Sequence, residues 1–361
     1  MKKIGVLGAG QLARMMALAG YPLGIKIFTY EPSENPCASE ITNFTQADFT
    51  DLNGLDNFAK QVDVITFESE NIAHEALQYL SKSYCVRPCF LSLEISSDRL
   101  KEKNYVRELG FHTADFYRVD SLLDLENAAK TLGFPCVLKT TRFGYDGKGQ
   151  CVIKNNEDIT KAWQMLNEQT PLILEGFVHF QREISMIAVR NGLGETAFYP
   201  LTHNQHRDGI LRVSMPFINA NLQNQAEAIA KILLEKLNYV GVLTIEFFET
   251  SQGLLINELA PRVHNSGHWT IEGAHTSQFE NHLRAISDLP LGLTGLKTLV
   301  AMVNIISELP DITRVLAIPG THFHDYGKPA RKDRKLGHVT VTANNPLELQ
   351  ERLDQLISLI H

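Results

Sequence analysis

Two short apolar runs, Pro135-Cys-Val-Leu-Lys139 and Cys151-Val-Ile153, stand on either side of a turn that holds Gly144, Gly147 and Gly149. Runs this short and bounded this way read as strands, and a turn so rich in glycine joins them as a hairpin with a deformable tip. The order is not that of a Walker A loop, because G-x-x-x-x-G-K-[ST] is missing and no helical pattern follows. The turn's backbone amides are able to close over an anion, with Lys139 and Lys148 supplying charge. The alternative for such a segment is an ordinary hairpin with a solvated tip.

Upstream, Lys3-Ile-Gly-Val-Leu reads as a strand, Gln11 to Gly20 has apolar residues at helical spacing, and Ile25–Tyr30 is a second apolar run. A helical stretch, Leu52–Gln61, leads into a third strand pattern, Val62–Phe67. Strands alternating with helices imply a parallel, doubly wound sheet, which ends near Arg87-Pro88. Within it, Gly8-Ala-Gly10-Gln-Leu-Ala13 fits G-x-G-x-x-G/A, and Glu31 ends the next strand, so a dinucleotide-dependent dehydrogenase is one reading. A tight turn or a seat for a substrate phosphate is the other. No later segment supplies a hydride-transfer site.

A helix is expected from about Arg99 to Leu109 and another over Leu122–Leu132. After Pro171 the pattern shifts to longer strand-like runs: Leu172–Leu174, Glu183–Arg190, Thr196–Pro200, Val242–Phe248 and Leu254–Glu258. The segment Leu222–Leu237 is helical, Thr298–Ala343 reads as strands and turns, and Pro346–Ile360 is a closing helix. Thr244-Ile-Glu246-Phe-Phe and Leu254-Leu-Ile-Asn257-Glu258 stand on either side of the turn Ser251-Gln-Gly253. An acid embedded in a strand's apolar residues costs several kcal/mol or shifts its pKa unless partnered, so two such acids on paired strands suggest a shared cation. Hard oxygen ligands near phosphates suit Mg²⁺. Glutamates on the solvent face of amphipathic strands are the alternative. The polar loop that follows carries Arg262, His264, Asn265 and His268. His264 and His268 lack the His-Glu-x-x-His context of a metal helix, which favours hydrogen bonding over ligation; His322 and His324 read as structural.

At 361 residues the chain is long enough for two or three domains, and a net charge of −7 without a concentrated basic face argues against nucleic acid as a partner. One local exception is the basic turn Lys328–Lys335. Five cysteines without a Cys-x-x-Cys pair fit a reduced, cytoplasmic chain, and no apolar run is long enough to span a bilayer.

Lys139, Gly144-Tyr-Asp-Gly-Lys-Gly-Gln150, Glu175-Gly-Phe-Val178, Glu183-Ile-Ser and Asn257-Glu-Leu-Ala-Pro-Arg-Val-His-Asn-Ser-Gly-His268 together resemble the ATP-grasp superfamily. More narrowly, the chain is similar to the N5-carboxyaminoimidazole ribonucleotide synthetase family. That match also takes in Gly8-Ala-Gly-Gln-Leu, Thr66-Phe-Glu68-Ser-Glu70-Asn71, Tyr199-Pro-Leu-Thr-His-Asn-Gln-His206 and Gly327–His338. Departures are Phe143, where many members have glycine, and Ser69 within a usual Phe-Glu-Phe-Glu-Asn run.

The resemblance implies a three-domain α/β and α+β fold. An N-terminal Rossmann-like sheet would span 1–100, a small central lid 101–176, and a C-terminal β-rich domain 177–361 with a small β-rich end from about 298. It implies ATP and Mg²⁺, with Mn²⁺ as a substitute and no biotin. Arg99 and Lys139 would meet ATP phosphates, and Gly144, Tyr145, Asp146, Gly147, Lys148, Gly149 and Gln150 would form the lid loop. Glu175, Gly176, Phe177 and Val178 would line the adenine, Glu183 the ribose, and His206 and Asn257 would also lie at the nucleotide. Glu246 and Glu258 would hold the metal. Tyr145, Asp146, Lys148, Arg262, His264, Asn265, Lys328 and Arg334 would meet the imidazole ribonucleotide. The implied partners are aminoimidazole ribonucleotide, bicarbonate and ATP, with no membrane and a homodimeric assembly. A formate-using ligase of glycinamide ribonucleotide is the rival within the superfamily, and a non-catalytic nucleotide-binding regulator the rival outside catalysis.

Overall fold

The computed structural model describes residues 2–144, 147–169 and 171–360. The N-terminal sheet has the order Asn43–Gln46, Lys26–Glu31, Lys3–Leu7, Val64–Phe67, with every pair parallel. Strand Lys3–Leu7 is buried at all but its first residue, as a strand covered on both faces must be. Helix Gln11–Gly20 packs on one face through Leu12, Met15 and Met16. Helices Leu52–Ala59 and His74–Ser81 pack on the other through Leu55, Phe58 and Leu77.

A second, antiparallel sheet has the order Phe116–Val119, Leu172–Gly176, Cys136–Thr140, Gln150–Ile153. Helices Leu122–Leu132 and Glu157–Leu166 close a core over it that includes Leu125, Ala129, Leu138, Ile159 and Leu174 and shares no buried residue with its neighbours. The first of these helices covers the span expected from sequence. Ser121 caps it by accepting from Asp124 N at 3.2 Å, and Gly133 ends it.

The third sheet is nine-stranded and antiparallel. Along its main path the order is Gly253–Ala260, Gly241–Thr250, Arg182–Arg190, Thr202–Arg207, Ile210–Pro216, Leu299–Ile306, Lys335–Ala343 and Thr321–Asp325; Thr196–Phe198 adds to Arg182–Arg190. The β-rich end from about 298 is therefore not a sheet of its own. Strand Leu299–Ile306 pairs with Ile210–Pro216 through Val213↔Val303 and Ser214↔Met302. The N-terminal unit is joined to this sheet by a common core in which Met16, Val242, Trp269 and Leu283 take part.

The hairpin Thr202–Arg207/Ile210–Pro216 and the helix Gln278–Ile286 escaped the sequence patterns. The first strand reads THNQHR, too polar to register as apolar alternation. The helix buries Gln278, Asn281 and His282 on its inner face, which masks its period.

The first strand turns into helix Gln11–Gly20 at Gly8-Ala-Gly10. Glu68, just past strand Val64–Phe67, accepts from the amide of Gly10 and, at 2.8 Å, from that of Ala13. A Cβ on Gly10 would stand 2.7 Å from Glu68 Oε1, and one on Gly8 (φ +101°) 2.6 Å from Glu68 Cγ. The glycines thus make room for a carboxylate on the helix N-terminus. Gly10→Ala is expected to destabilise the protein by about 1–3 kcal/mol, and by clearly less in a Glu68→Ala background. Denaturant unfolding of the four proteins of this double-mutant cycle measures the coupling.

Candidate active site

The two acids singled out in the sequence face one another. In the antiparallel pair Gly241–Thr250 and Gly253–Ala260, Glu246 lies opposite Glu258. The register then slips, because Phe247 pairs with Ile256 and Asn257 is left without a partner. The bulge lies on the second strand; the first runs in unbroken register beside Arg182–Arg190, with Phe247 buried in the core and Phe248 on the same face as Glu246. Like charges directly opposite one another destabilise a sheet, and here neighbouring groups offset the repulsion. Arg99 NH1 lies 3.2 Å from Glu258 Oε2, and His264 Nε2 lies 3.4 Å from Glu246 Oε1. Burial first, and the Glu258 charge second, push the Glu246 carboxyl up to about 7. The solvent-facing alternative does not describe this pair.

A cluster of cations stands beside them. Arg99 opens the helix Arg99–Glu108, which Asp98 caps by accepting from Leu100 N and Lys101 N. Its own amide donates to Thr141 O at 2.9 Å, tying that helix to the start of the glycine-rich turn. Lys139, on strand Cys136–Thr140, donates to Glu175 Oε2 at 2.8 Å. Lys103 lies 3.5 Å from Glu175 Oε1 and donates to the carbonyl of Asn257 at 3.3 Å. Burial alone would raise the Glu175 carboxyl, but Lys139, Lys103 and Arg99 together bring it down to about 2. The Glu175 side chain is thus held internally by Lys139 and Lys103.

Lys103 and its neighbour Glu102 had no role in the sequence reading. Each is 1% exposed, and Glu102 accepts from Leu259 N at 2.6 Å. A signal was present. Residues 99, 102, 103 and 106 form one helical stripe, so a buried stripe at that spacing would carry three charges.

The glycine-rich turn bridges two sheets. A Cβ on Gly149 would meet Thr140 Oγ1 at 2.7 Å, and one on Gly147 (φ +75°) would meet the carbonyl of Asp208 at 2.8 Å. Asp208 lies in the turn between strands Thr202–Arg207 and Ile210–Pro216. A Cβ on Gly144 would stand 3.5 Å from Arg99 NH2. Phe143 holds the left-handed conformation (φ +60°) that glycine takes freely, with the Arg142 guanidinium 5.3 Å from its ring centre. Tyr145 and Asp146 lie outside the described residues.

Glu183 and His206 form a close ion pair across adjacent strands. Burial would lower the His206 pKa, but Glu183 more than compensates and raises it. On the other flank, Arg262 NH2 lies 2.7 Å from Glu70 Oε1, a partner that no sequence pattern identified. Asn265 and Asn304 exchange amide hydrogen bonds at 3.0 and 2.8 Å. His264 stays neutral because burial, then Arg262, pushes its pKa well below the ordinary histidine value. His268 is buried against the His338 ring, and Glu272 holds His324 at 2.9 Å. Among the described residues no group of three or more His, Cys, Asp or Glu side chains is placed to hold a metal. Ser69, the other departure, accepts from Asn71 N at 3.1 Å in a local turn.

The basic turn returns to the N-terminal glycines. The Lys328 ammonium reaches Gln11 Oε1 on the first helix, and the Arg334 guanidinium donates to Pro329 O at 3.2 Å. The seat where a dinucleotide pyrophosphate would lie is filled by Glu68, which leaves the dehydrogenase reading without a phosphate site. No helix among the described residues is long and apolar enough to cross a membrane.

Comparison with known proteins gives a consistent picture. Residues 104–279 match the ATP-grasp domain, residues 1–97 the ribonucleotide synthetase preATP-grasp domain, and residues 300–352 the phosphoribosylaminoimidazole carboxylase C-terminal domain. The N5-carboxyaminoimidazole ribonucleotide synthase of Pseudomonas aeruginosa is 47% identical, covering 99% of both chains. The crystal structure of N5-carboxyaminoimidazole ribonucleotide synthetase from Thermus thermophilus superimposes with a TM-score of 0.94 at 46% identity, over 99% of this chain and 98% of that one. The Aspergillus clavatus synthase, solved with ADP and 5-aminoimidazole ribonucleotide, superimposes with a TM-score of 0.92 at 28% identity, over 99% of this chain and 98% of that one. The chain belongs to the N5-carboxyaminoimidazole ribonucleotide synthase family and is an ATP-grasp ligase.

Proposed function

We propose that the protein joins bicarbonate to 5-aminoimidazole ribonucleotide at the expense of ATP, giving N5-carboxyaminoimidazole ribonucleotide, ADP and phosphate. The observation that supports this most directly is the opposed pair Glu246–Glu258 beside Arg99 and Lys139. Such a set neutralises a polyphosphate while leaving room for a cation. Burial and the Glu258 charge push Glu246 up to about 7, and a cation shared by the two acids would favour the ionised form of both. Glu246 and Glu258 fit Mg²⁺, or Mn²⁺ in its place. The metal would offset charge on the β- and γ-phosphates.

Bicarbonate is a weak electrophile. Its oxygen attacks the γ-phosphorus, the bond to ADP breaks, and carboxyphosphate forms with Arg99 and Lys139 holding the developing charge. Carboxyphosphate then splits into CO₂ and phosphate, and the exocyclic amine forms the new N–C bond. The 144–150 loop, seated on the turn at Asp208, excludes water from the hydrolysable intermediate. Lys328, which reaches Gln11 next to the N-terminal glycines, and Arg334 receive the ribonucleotide 5′-phosphate; Arg262, His264, Asn265 and Lys148 meet its reacting end, a role that would also fall to Tyr145 and Asp146, which lie outside the described residues. The nucleotide lies against Glu175 to Val178, Glu183, His206 and Asn257. A homodimeric, cytoplasmic enzyme is part of this reading and rests on family membership.

ADP release should require both bicarbonate and aminoimidazole ribonucleotide. A coupled assay in which the ribonucleotide leaves the rate unchanged, or in which formate and glycinamide ribonucleotide replace the pair, would refute the assignment. Arg334→Ala is expected to raise KM for the ribonucleotide about tenfold or more with little change for ATP, and the reverse pattern would move the phosphate site.

The folded protein holds the Glu246 proton more tightly than an unfolded chain, where the ordinary value is 4.5. This group therefore stabilises the fold fully below that value, and the contribution is lost as pH rises through about 7. Glu246→Gln should raise the melting temperature of the ligand-free protein at pH 8 more than at pH 5, while lowering turnover by about 10²-fold or more. A variant that keeps wild-type turnover would remove Glu246 from the metal site.

A further inference from the structure

His264 turns its two nitrogens to different surroundings. Nε2 faces Glu246 Oε1 at 3.4 Å, while Nδ1 faces away, toward Ser266. Two donors converge on Nδ1: the backbone amide of Ser266 at 3.3 Å and its hydroxyl at 2.8 Å. A backbone amide only donates, so Nδ1 accepts and carries no proton, which excludes the Nδ1-protonated ring and the cation alike. The hydroxyl agrees with this when followed back into the sheet. Asn204 Nδ2 donates to Ser185 Oγ at 3.1 Å, and Ser185 Oγ donates to Ser266 Oγ at 2.7 Å. The proton of Ser266 is then left to point at Nδ1. Ser185 and Ser266 are fully buried and Asn204 is 4% exposed, so bulk water does not compete for the chain's direction. Gln278 holds the ring's backbone from both sides, accepting from His264 N at 2.9 Å and donating to His264 O at 2.6 Å.

We propose that Asn204, Ser185 and Ser266 are positioning residues that fix His264 as the neutral ring protonated on Nε2. His264 then enters the reaction as a hydrogen-bond donor beside the Glu246–Glu258 pair. It is suited to a phosphoryl, carbonate or carboxylate oxygen and is not the base that takes the amine proton. As the N–C bond forms, that proton passes instead to the phosphate freed in the same site. The assignment of His264 to the reacting end rests on the carboxylation reading; its tautomer does not.

The two are separable by experiment. Long-range ¹H–¹⁵N correlation spectra of the full-length, histidine-labelled protein, with the His264 signals identified by their loss in His264→Gln, read the tautomer without turnover. A protonated Nε2 with a bare Nδ1 is expected at neutral pH. A proton on Nδ1, or on both nitrogens, overturns the inference even if carboxylation is demonstrated. Failure of ribonucleotide-dependent ADP release would instead sink the functional reading and leave the tautomer intact.

Ser266→Ala removes the hydroxyl donor, and Asn204→Asp places an acceptor where the chain begins, drawing the Ser185 proton back. Each should let Nδ1–H signals appear and lower kcat about tenfold, with KM for ATP unchanged. Ser266→Thr, which keeps a hydroxyl, should restore both. Wild-type kcat in Ser266→Ala and Asn204→Asp, or kcat and KM changing together, overturns the positioning role. If circular dichroism shows these variants unfolded, the wild-type spectrum still decides the tautomer.

Discussion

Two carboxylates set opposite one another on paired strands repel, and much of the surrounding architecture is placed to tolerate that. The bulge at Asn257 brings Glu258 level with Glu246. Arg99, fixed at the start of a capped helix, answers one charge. Burial and the Glu258 charge push the other acid up to about 7. Lys103 is coupled to the same arrangement, since its ammonium holds both the bulged carbonyl and Glu175. Glu175 in turn fixes Lys139. The cations and the paired acids thus form one connected set drawn from two sheets and the helix between them.

This connectivity places the site at a junction. The N-terminal sheet contributes Glu68 and Glu70 from the carboxyl end of Val64–Phe67, the small sheet contributes Lys139 and the glycine-rich turn, and the large sheet contributes the acids. The basic turn after Thr321–Asp325 closes the ring by reaching back to Gln11. A G-x-G turn that resembles a dinucleotide site in isolation has its helix N-terminus filled by a side chain of the same domain.

Most of the strands and several helices were legible from periodicity, among them Leu122–Leu132 and Pro346–Ile360, whose apolar stripes are the buried ones. The acid pair was legible because glutamates interrupt otherwise apolar strands. Legibility failed where side chains turned toward the site. Strand Thr202–Arg207 is polar because Asn204 bonds Ser185 and His206 pairs with Glu183 on the adjacent strand, and helix Gln278–Ile286 hides its period behind buried Gln278 and His282. Pairs such as Arg262 with Glu70, or Asn265 with Asn304, join residues far apart in the chain, and no local pattern encodes them. The family resemblance named residues on both flanks of the site, but not the buried partners behind them.

Gly147 rests on the carbonyl of Asp208, at the tip of the hairpin that leads back through Asn204 to His264. That hairpin therefore sets the level at which Gly147 of the small sheet's loop sits over the large sheet. The small sheet has a core of its own, so its height over the large sheet depends on such points of contact between the two. The depth of the reaction chamber is then set by a turn that need not itself touch a reacting atom.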